Sequence, residues 1–158
     1  MNQSLVMELF EYRNGSLFWR ENYGKMKAGS KAGTPRKKGH IQIQYKGKLY
    51  REHTLVWILF YGAAPEKLID HINCIPNDNR IENLRLATNA QNLANRGRNK
   101  SNTSGFKGVW LHSQTKRWAA SIKHLGKKYS LGCYDTALEA HEAYKQASIR
   151  LNGEFARA

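Results

Sequence analysis

The chain has 158 residues, which is enough for one compact domain or two small ones. It contains 26 lysine and arginine residues against 12 aspartate and glutamate residues, so its net charge is +14 with neutral histidines. An excess of positive charge of this size favours polyanionic partners. Because 41% of the residues are hydrophobic, the chain can form a core, and wholesale disorder is excluded.

Membrane and secreted classes are not expected either. The longest mostly apolar run, residues 55–60, is far shorter than the ~20 residues of a membrane helix. No basic segment precedes an apolar stretch at the start, which argues against a secretory signal. Cys74 and Cys133 are far apart and form no CxxC pair, so neither a disulfide framework nor a structural zinc site is predicted. These features predict a cytoplasmic protein that binds nucleic acid.

The first part of the chain predicts short strands and one helix. Strand patterns occur at residues 17–19, 40–44 and 48–50, and Tyr45-Lys46-Gly47 is typical of a hairpin turn. The Gly- and Lys-rich segment 25–39 predicts an exposed basic loop. This loop is either unstructured or an arm that contacts the phosphates of a nucleic acid. Apolar residues recur at helical spacing over residues 53–61, and Gly62 and Pro65 end that helix.

The segment from Ile69 to Arg96 predicts a strand, a polar loop, a second strand and a helix. Its first strand ends in Asp70-His71, and Thr88 with Gln91 forms a capping box that begins the helix. Hydrolysis of a phosphodiester needs a base and a cation that stabilises the charged transition state. A neutral histidine can be the base, and carboxylate and amide oxygens suit a hard cation such as Mg²⁺.

This pattern, D-H … D-N-R-x-x-N-L-R … T-x-x-Q-N, resembles the ββα-metal finger of phage-type HNH homing endonucleases, and the similarity covers about residues 40–96. The resemblance implies metal-dependent hydrolysis of duplex DNA, by nicking or by double-strand cutting, with one Mg²⁺ or Mn²⁺ per active site. It assigns the catalytic positions to His71, the general base, and Asn83, the central asparagine that holds the loop. It assigns the metal ligands to Asp70 and Asn92.

Other residues of the finger have supporting roles in the same interpretation. His53 is expected in the core or beside the site, and Arg80 together with Asn79 braces the loop or touches phosphate. In a regular strand, adjacent side chains point to opposite faces, so Asp70 and His71 cannot both face a metal unless the strand twists. Cys74 stands where the family commonly has glycine, and a positive φ is disfavoured for cysteine. His40, like the histidines of the C-terminal part, is expected to be solvated or packed.

The C-terminal part predicts a second module after a polar segment that has no apolar side chain. Period-two alternation at residues 109–111, 118–122 and 129–131 predicts a three-stranded antiparallel sheet. Thr136 and Glu139 form a second capping box, followed by a helix. Its apolar stripe is Ala140, Tyr144, Ala147 and Leu151. This helix covers one face of the predicted sheet and leaves the other face basic and aromatic.

The motifs G-F-K-G-V, W-A-A-S-I-K and Y-S-L-G-C-Y-D-T make this module similar to the plant Apetala/ethylene-response-factor DNA-binding domain. The resemblance implies that the sheet enters the major groove. The DNA-binding residues that it implies are Lys107, Trp110, His112, Ser121, Lys123, Lys128 and Ser130. Plant members have arginines where this chain has Lys107, Trp110 and His112, so fewer bidentate guanine contacts are expected. The alternative for this face is an ordinary solvated sheet surface.

Together these features predict an α+β fold. A small N-terminal β region and a helix lead into the HNH finger, and a three-stranded antiparallel sheet packed on one helix follows. The predicted domains are residues 1–96, a linker at 97–104, and residues 105–158. The expected partner is double-stranded DNA, with monomer and homodimer both open, in the cytoplasm of a bacterial host if a phage encodes the gene. The rival interpretations are a DNA-binding regulator with an inactive HNH scaffold and an RNA-directed protein.

Overall fold

A computed structural model describes residues 1–157 of the chain. The described residues form four α-helices and ten strands arranged in small antiparallel sheets, which confirms the predicted α+β class. The chain divides into two compact units, Met1–Ala87 and Thr88–Ala158. This division lies ahead of the linker that the sequence predicts, so the helix expected to complete the finger belongs to the second unit. Within residues 1–157, no helix is long and apolar enough to span a bilayer.

The first unit contains two helices, seven strands and a short 3-10 helix. In chain order these are α1 (Gln3–Leu9), β1 (Phe10–Arg13), β2 (Ser16–Trp19), β3 (Thr34–Pro35), β4 (Ile41–Tyr45), β5 (Lys48–Arg51), α2 (Glu52–Tyr61), β6 (Leu68–His71), the 3-10 helix (Ile81–Asn83) and β7 (Leu84–Ala87). Strands β1 and β2 pair with each other, β3, β4 and β5 form a sheet in that order, and β6 pairs with β7. The sequence interpretation missed α1, β1 and β3.

Two hairpins of this unit turn through two residues with positive φ. Lys46 and Gly47 have φ of 47° and 76° and connect β4 to β5, which confirms the predicted turn. Asn14 and Gly15 have φ of 45° and 83° and connect β1 to β2. Asn-Gly is the strongest short-range hairpin signal, because its residues tolerate this left-handed backbone. That dipeptide would have predicted the missed strand.

The core of the first unit lies where α1, α2 and the first two sheets meet. Helix α2 buries Leu55 and Val56 completely, as the helical spacing predicts, and β4 adds Ile43. Phe10 and Trp19 face each other across the first hairpin, with ring centroids 4.7 Å apart. Burial of these large side chains stabilises the unit by roughly 1.5–3 kcal/mol each. The core therefore holds the start of α2 in place, and Glu52 and His53 are the first two residues of this helix.

The predicted strand–loop–strand part of the finger is present. Strands β6 and β7 pair antiparallel, with Asp70 opposite Arg85 and His71 opposite Leu84. The intervening loop bends at Cys74, whose φ is +61°. Cysteine therefore adopts here the left-handed backbone that glycine favours, although this φ is disfavoured for residues with a side chain. The amide of Cys74 donates to the carbonyl of His71 at 2.9 Å and closes this turn.

The second unit contains two helices, three strands and a closing 3-10 helix. In chain order these are α3 (Asn89–Asn95), β8 (Val109–Leu111), β9 (Trp118–His124), β10 (Lys127–Tyr134), α4 (Ala137–Asn152) and the 3-10 helix (Gly153–Phe155). The strands form one antiparallel sheet in the order β10-β9-β8. Both predicted capping boxes are formed, one at Thr88 and one at Thr136, and α4 ends at Gly153 as expected.

Helix α4 covers one face of this sheet. Its predicted stripe is confirmed, because Ala140, Tyr144 and Ala147 are buried against the strands. The small alanines allow close approach but cover a narrow area. As a result, Leu111 and Tyr129 remain 47% and 42% exposed. The opposite face carries no element among the described residues of this unit that would bury it.

Candidate active site

His71 lies at the end of β6 in a cluster of three histidines. Its ring centroid is 5.2 Å from that of His53 and 5.7 Å from that of His40, and the last two are 5.3 Å apart. One ring nitrogen of each histidine lies within 4.8 Å of the others. His53 and His71 are buried and His40 is half-buried. The chain thus brings together side chains from the approach to β4, the start of α2 and the end of β6.

The surroundings keep two of these histidines neutral. Burial lowers the pKa of His53 to about 3, and the nearby rings of His71 and His40 act in the same direction. Burial also lowers the pKa of His40, although the Pro76 carbonyl opposes the shift. The Nδ1 atoms of His40 and His53 are buried and have no hydrogen-bond partner among the described residues. Neutral imidazoles with such nitrogens are the form that binds a cation or accepts a proton.

His71 is also held from a second side. Its Nε2 lies 2.9 Å from Oδ1 of Asn79, a residue that is completely buried. Nδ2 of Asn79 donates to Oε2 of Glu52 at 2.7 Å, and the amide of Leu17 donates to Oε1 of Glu52 at 2.9 Å. Burial raises the pKa of Glu52, and these two hydrogen bonds act against that shift. Glu52, Asn79 and His71 therefore form one buried hydrogen-bonded chain.

Asp70, the neighbour of His71, has a different partner. Its Oδ2 accepts a hydrogen bond from Nε of Arg85 at 2.9 Å, directly across β6 and β7. The side chains of Asp70 and Arg85 are 5% and 13% exposed. Since successive side chains of a strand alternate, Asp70 pairs with Arg85 while His71 meets the other histidines. The structure thus places the predicted ligand and the predicted base side by side in the chain but in different contacts.

Asn83 braces the loop between the strands, as the sequence interpretation expects of the central asparagine. Its Oδ1 accepts from the amide of Asn73 at 3.0 Å, and its Nδ2 donates to the carbonyl of Asp78 at 2.7 Å. Arg80 donates to both carboxylate oxygens of Asp78 at 2.8 Å. The Arg80 hydrogen bonds hold the pKa of Asp78 well below its usual range. Arg80 is exposed, so its guanidinium faces solvent beside this loop.

A divalent cation fits the chemistry of the donors in this part of the chain. Asp70 supplies a carboxylate, and the orphaned nitrogens of His40 and His53 lie in the same cluster as His71. Oxygen donors suit Mg²⁺ or Mn²⁺, and imidazoles suit transition metals. Asn92, the other predicted ligand, lies on α3 in the second unit, and its role stays a prediction.

Most of the predicted DNA-binding residues share one face of the second unit. Trp110 is opposite Ala119, Ser121 is opposite Ser130, and Lys123 is opposite Lys128. Trp110 is 38% exposed, and Nζ of Lys128 lies 5.0 Å from the centre of its ring. The result is a surface of hydroxyl groups, one aromatic ring and two ammonium groups on the side of the sheet that α4 leaves uncovered.

Two other predicted DNA-binding residues lie just outside the bounds of β8. Lys107 precedes β8, and its Nζ donates to the carbonyls of Ala94 and Arg157 at 2.6 and 2.9 Å. Lys107 therefore ties segments of the second unit together. His112 follows β8, and its Nδ1 accepts from the amide of Thr115 in the turn to β9. The resemblance to the plant domain implies that both residues contact DNA, and this role stays a prediction.

Sequence reasoning missed three residues of the site. His40 was expected to be solvated or packed, and Glu52 and Arg85 were not singled out. Arg85 could have been found from the paired strands, since Asp70 and Arg85 carry opposite charges on facing strands. No local pattern marks Glu52 or His40, because their partners lie far along the chain.

Comparison with known proteins finds two separate family matches, one after the other along the chain. Residues 50–94 match the HNH endonuclease family model, and residues 104–154 match the AP2 domain model. Protein 3.8 of Escherichia phage T7 is 34% identical over 111 residues, which make up 70% of this chain and 91% of that protein. An uncharacterized HNH endonuclease of Acanthamoeba polyphaga mimivirus is 32% identical over 111 residues, 70% of this chain and 57% of that protein.

A plant relative covers only the C-terminal part. The APETALA2-like protein 2 of Oryza sativa subsp. indica is 50% identical over 56 residues, 34% of this chain and 13% of that protein. No solved structure matches the chain significantly. The paired strands with Asp70, His71 and Asn83 lie inside the HNH match, and the three-stranded sheet with α4 lies inside the AP2 match. The chain belongs to the HNH endonuclease family and carries an HNH domain followed by an AP2 DNA-binding domain.

Proposed function

We propose that this protein is a metal-dependent endonuclease that hydrolyses phosphodiester bonds of duplex DNA and is tethered to DNA by its AP2 domain. The observation that carries the proposal is the setting of His71. This histidine lies inside the HNH match, is buried beside two further histidines, and is held by Asn79. An imidazole held in a fixed orientation is suited to accept a proton from an attacking water.

In this mechanism His71 is the general base, and Asn79 holds its ring. Asp70 and Asn92 would hold one Mg²⁺ or Mn²⁺ ion. When bound, this cation would stabilise the charged transition state and the leaving oxygen. Asn83 keeps the loop closed behind His71 through its hydrogen bonds to Asn73 and Asp78. Arg80 is exposed at the same loop, and we expect it to contact a phosphate of the substrate.

The AP2 domain is the proposed tether. The face that carries Trp110, Lys123 and Lys128 offers ammonium groups to phosphates and an aromatic ring to the groove. A β-ribbon fits the major groove of DNA. With lysines rather than arginines on this face, bidentate contacts to guanine are few, so we infer modest sequence specificity.

One active site per chain cuts one strand at a time. A monomer is therefore a nickase, and a double-strand break requires a dimer or a second event. The similarity to a phage protein supports a gene of phage origin that acts in the cytoplasm of a bacterial host, as a homing endonuclease does.

The test is conversion of supercoiled plasmid by the wild-type protein and by His71→Ala, each with Mg²⁺ and with EDTA. We expect open-circular product from the wild type with Mg²⁺ only, and unchanged DNA affinity for His71→Ala. His124→Ala is the matched control, because His124 lies in the second unit and bonds to Asn152. Metal-independent cleavage, or cleavage retained by His71→Ala, contradicts the mechanism. Binding without any cutting supports a DNA-binding regulator with an inactive HNH domain.

A further inference from the structure

The first unit contains a buried hydrogen-bonded chain that leads from a carboxylate to the proposed base. Glu52 is 1% exposed and Asn79 is fully buried. Nδ2 of Asn79 donates to Oε2 of Glu52 at 2.7 Å, and Oδ1 of Asn79 lies 2.9 Å from Nε2 of His71. The three residues come from the start of α2, the finger loop and the end of β6. Their separation in sequence means that only the fold can create this chain.

The chemistry of the donors and acceptors gives this chain a direction. A carboxylate accepts hydrogen bonds and donates none, and Glu52 already accepts the amide of Leu17 on its other oxygen. The amide of Asn79 must therefore turn its NH₂ group to Glu52. Its carbonyl oxygen then faces His71, and a carbonyl oxygen can only accept. The nitrogen of His71 that faces Asn79 must consequently carry a proton.

We propose that Glu52 is a positioning residue that acts through Asn79 to hold the proton of neutral His71 on Nε2, so that Nδ1 is the basic nitrogen. The inference rests on the proposed function of His71 as general base. It deepens that function, because it names the atom of His71 that takes the proton from water. Neither Glu52 nor Asn79 needs to touch DNA or metal in this arrangement.

One isosteric substitution is expected to reverse the direction of these hydrogen bonds. In Glu52→Gln, the carbonyl oxygen of Gln must accept from the Leu17 amide, so its NH₂ group faces Asn79. The Asn79 amide then turns over and donates to Nε2 of His71. The proton of His71 moves to Nδ1, and the nitrogen that should act as base is protonated.

An exchange of the two functional groups restores the original direction. In the double variant Glu52→Gln with Asn79→Asp, the Gln NH₂ donates to the Asp carboxylate, whose other oxygen accepts from Nε2–H of His71. The double variant has the same net charge as the wild type. In Asn79→Asp alone, the new carboxylate faces that of Glu52, and no hydrogen-bond donor lies between them. The single variants and the double variant therefore separate hydrogen-bond direction from packing.

The experiment reads the proton position directly. Long-range ¹H–¹⁵N correlation spectra of the histidine-labelled full-length protein, at mildly alkaline pH, distinguish Nδ1–H from Nε2–H rings. The signal of His71 is assigned by its absence in His71→Ala. We expect the Nε2–H form in the wild type, the Nδ1–H form in Glu52→Gln, and the Nε2–H form again in the double variant. Glu8→Gln, an exposed position on α1, is the matched control and keeps the Nε2–H form.

Cleavage kinetics form the second arm. For Glu52→Gln we expect kcat to fall on the order of 10³- to 10⁴-fold with DNA affinity unchanged, as for a catalytic histidine held in the wrong tautomer. The double variant regains most of this loss while its melting temperature stays close to that of Glu52→Gln. An Nδ1–H ring in the wild type, or an Nε2–H ring in Glu52→Gln, overturns the proposal. The spectra report the proton position on His71 whether or not the wild type cleaves DNA. A failure of the proposed nuclease function can therefore be distinguished from a failure of this inference.

Discussion

Asp70 and Arg85 face each other across β6 and β7, and their side chains form an ion pair that is almost completely removed from solvent, with Nε and Oδ2 2.9 Å apart. The pair holds the carboxylate of the residue that precedes His71 in the chain. A buried ion pair adds little to stability as a pair, but removal of one partner leaves the other charge in an apolar surrounding.

Replacement of Arg85 by methionine is therefore expected to destabilise the first unit by about 3 kcal/mol. Urea unfolding of the wild type and Arg85→Met measures this change. Arg13→Met is the control, because Arg13 pairs with Glu11 at the surface, where ion pairs contribute little. Equal effects of the two substitutions would mean that the Asp70 charge is hydrated in the folded protein.

The histidine cluster predicts a loss of stability in acid. Above pH ~6.5 His53 is neutral in both the folded and the unfolded chain. Below that pH the unfolded chain takes up a proton, whereas folded His53 does not until the pH approaches 3, because burial lowers its pKa. The free energy of unfolding therefore falls with falling pH, by up to about 1.4 kcal/mol per pH unit from His53. His40, whose pKa is also lowered by burial, acts in the same direction.

His53→Gln removes the largest part of this dependence. Urea unfolding between about pH 7 and pH 4 is expected to give a shallower pH slope for His53→Gln than for the wild type. His124→Gln, in the second unit, keeps the wild-type slope. If His53→Gln and the wild type have parallel slopes, His53 is protonated in the folded protein and the cluster is open to water.

The salt dependence of DNA binding tests the proposed face of the AP2 domain. If the protein neutralises six to eight phosphates, log affinity falls against log salt with a slope of roughly −5 to −7. Lys128→Met should weaken binding to all sequences and reduce the magnitude of this slope by about 1. Lys145→Met removes the same charge from α4, where Lys145 pairs with Glu142, and leaves the slope unchanged. A reduced slope for Lys145→Met instead would place the DNA on the helix side.

Gly108 is expected to be the least replaceable glycine of the second unit. Its φ is +71°, and an added Cβ would lie 2.3 Å from the ring of Tyr144 on α4. Gly126 has φ of +82° but open space around it. Gly126→Ala is expected to cost about 1 kcal/mol from backbone strain alone, and Gly108→Ala at least twice as much because the buried ring must also move. Thermal unfolding of both variants checks the difference, and similar costs would mean that Tyr144 yields easily.

Much of the local structure follows from the sequence because it depends on neighbours in the chain. Both capping boxes, the turn at Lys46-Gly47 and the alternation in the C-terminal sheet were read from residues a few positions apart. The missed strand β1 was equally local, since Asn14-Gly15 marks its hairpin. The left-handed backbone of Cys74 does not follow from local preference, because steric repulsion disfavours a positive φ for cysteine.

The amino-acid sequence is enough to predict the two modules, the finger with its Asp70-His71 pair, and the sheet face expected to meet DNA. The contacts of His40 and His53 with His71, and the link from Glu52 to His71 through Asn79, arise only when the chain folds. Glu52 and Asn79 are 27 residues apart, and no periodic pattern links them. Packing of α2 against the core brings them together, and once they are buried each polar atom must find a partner inside the fold. Long-range burial, rather than local preference, therefore selects which atom of His71 faces the reaction.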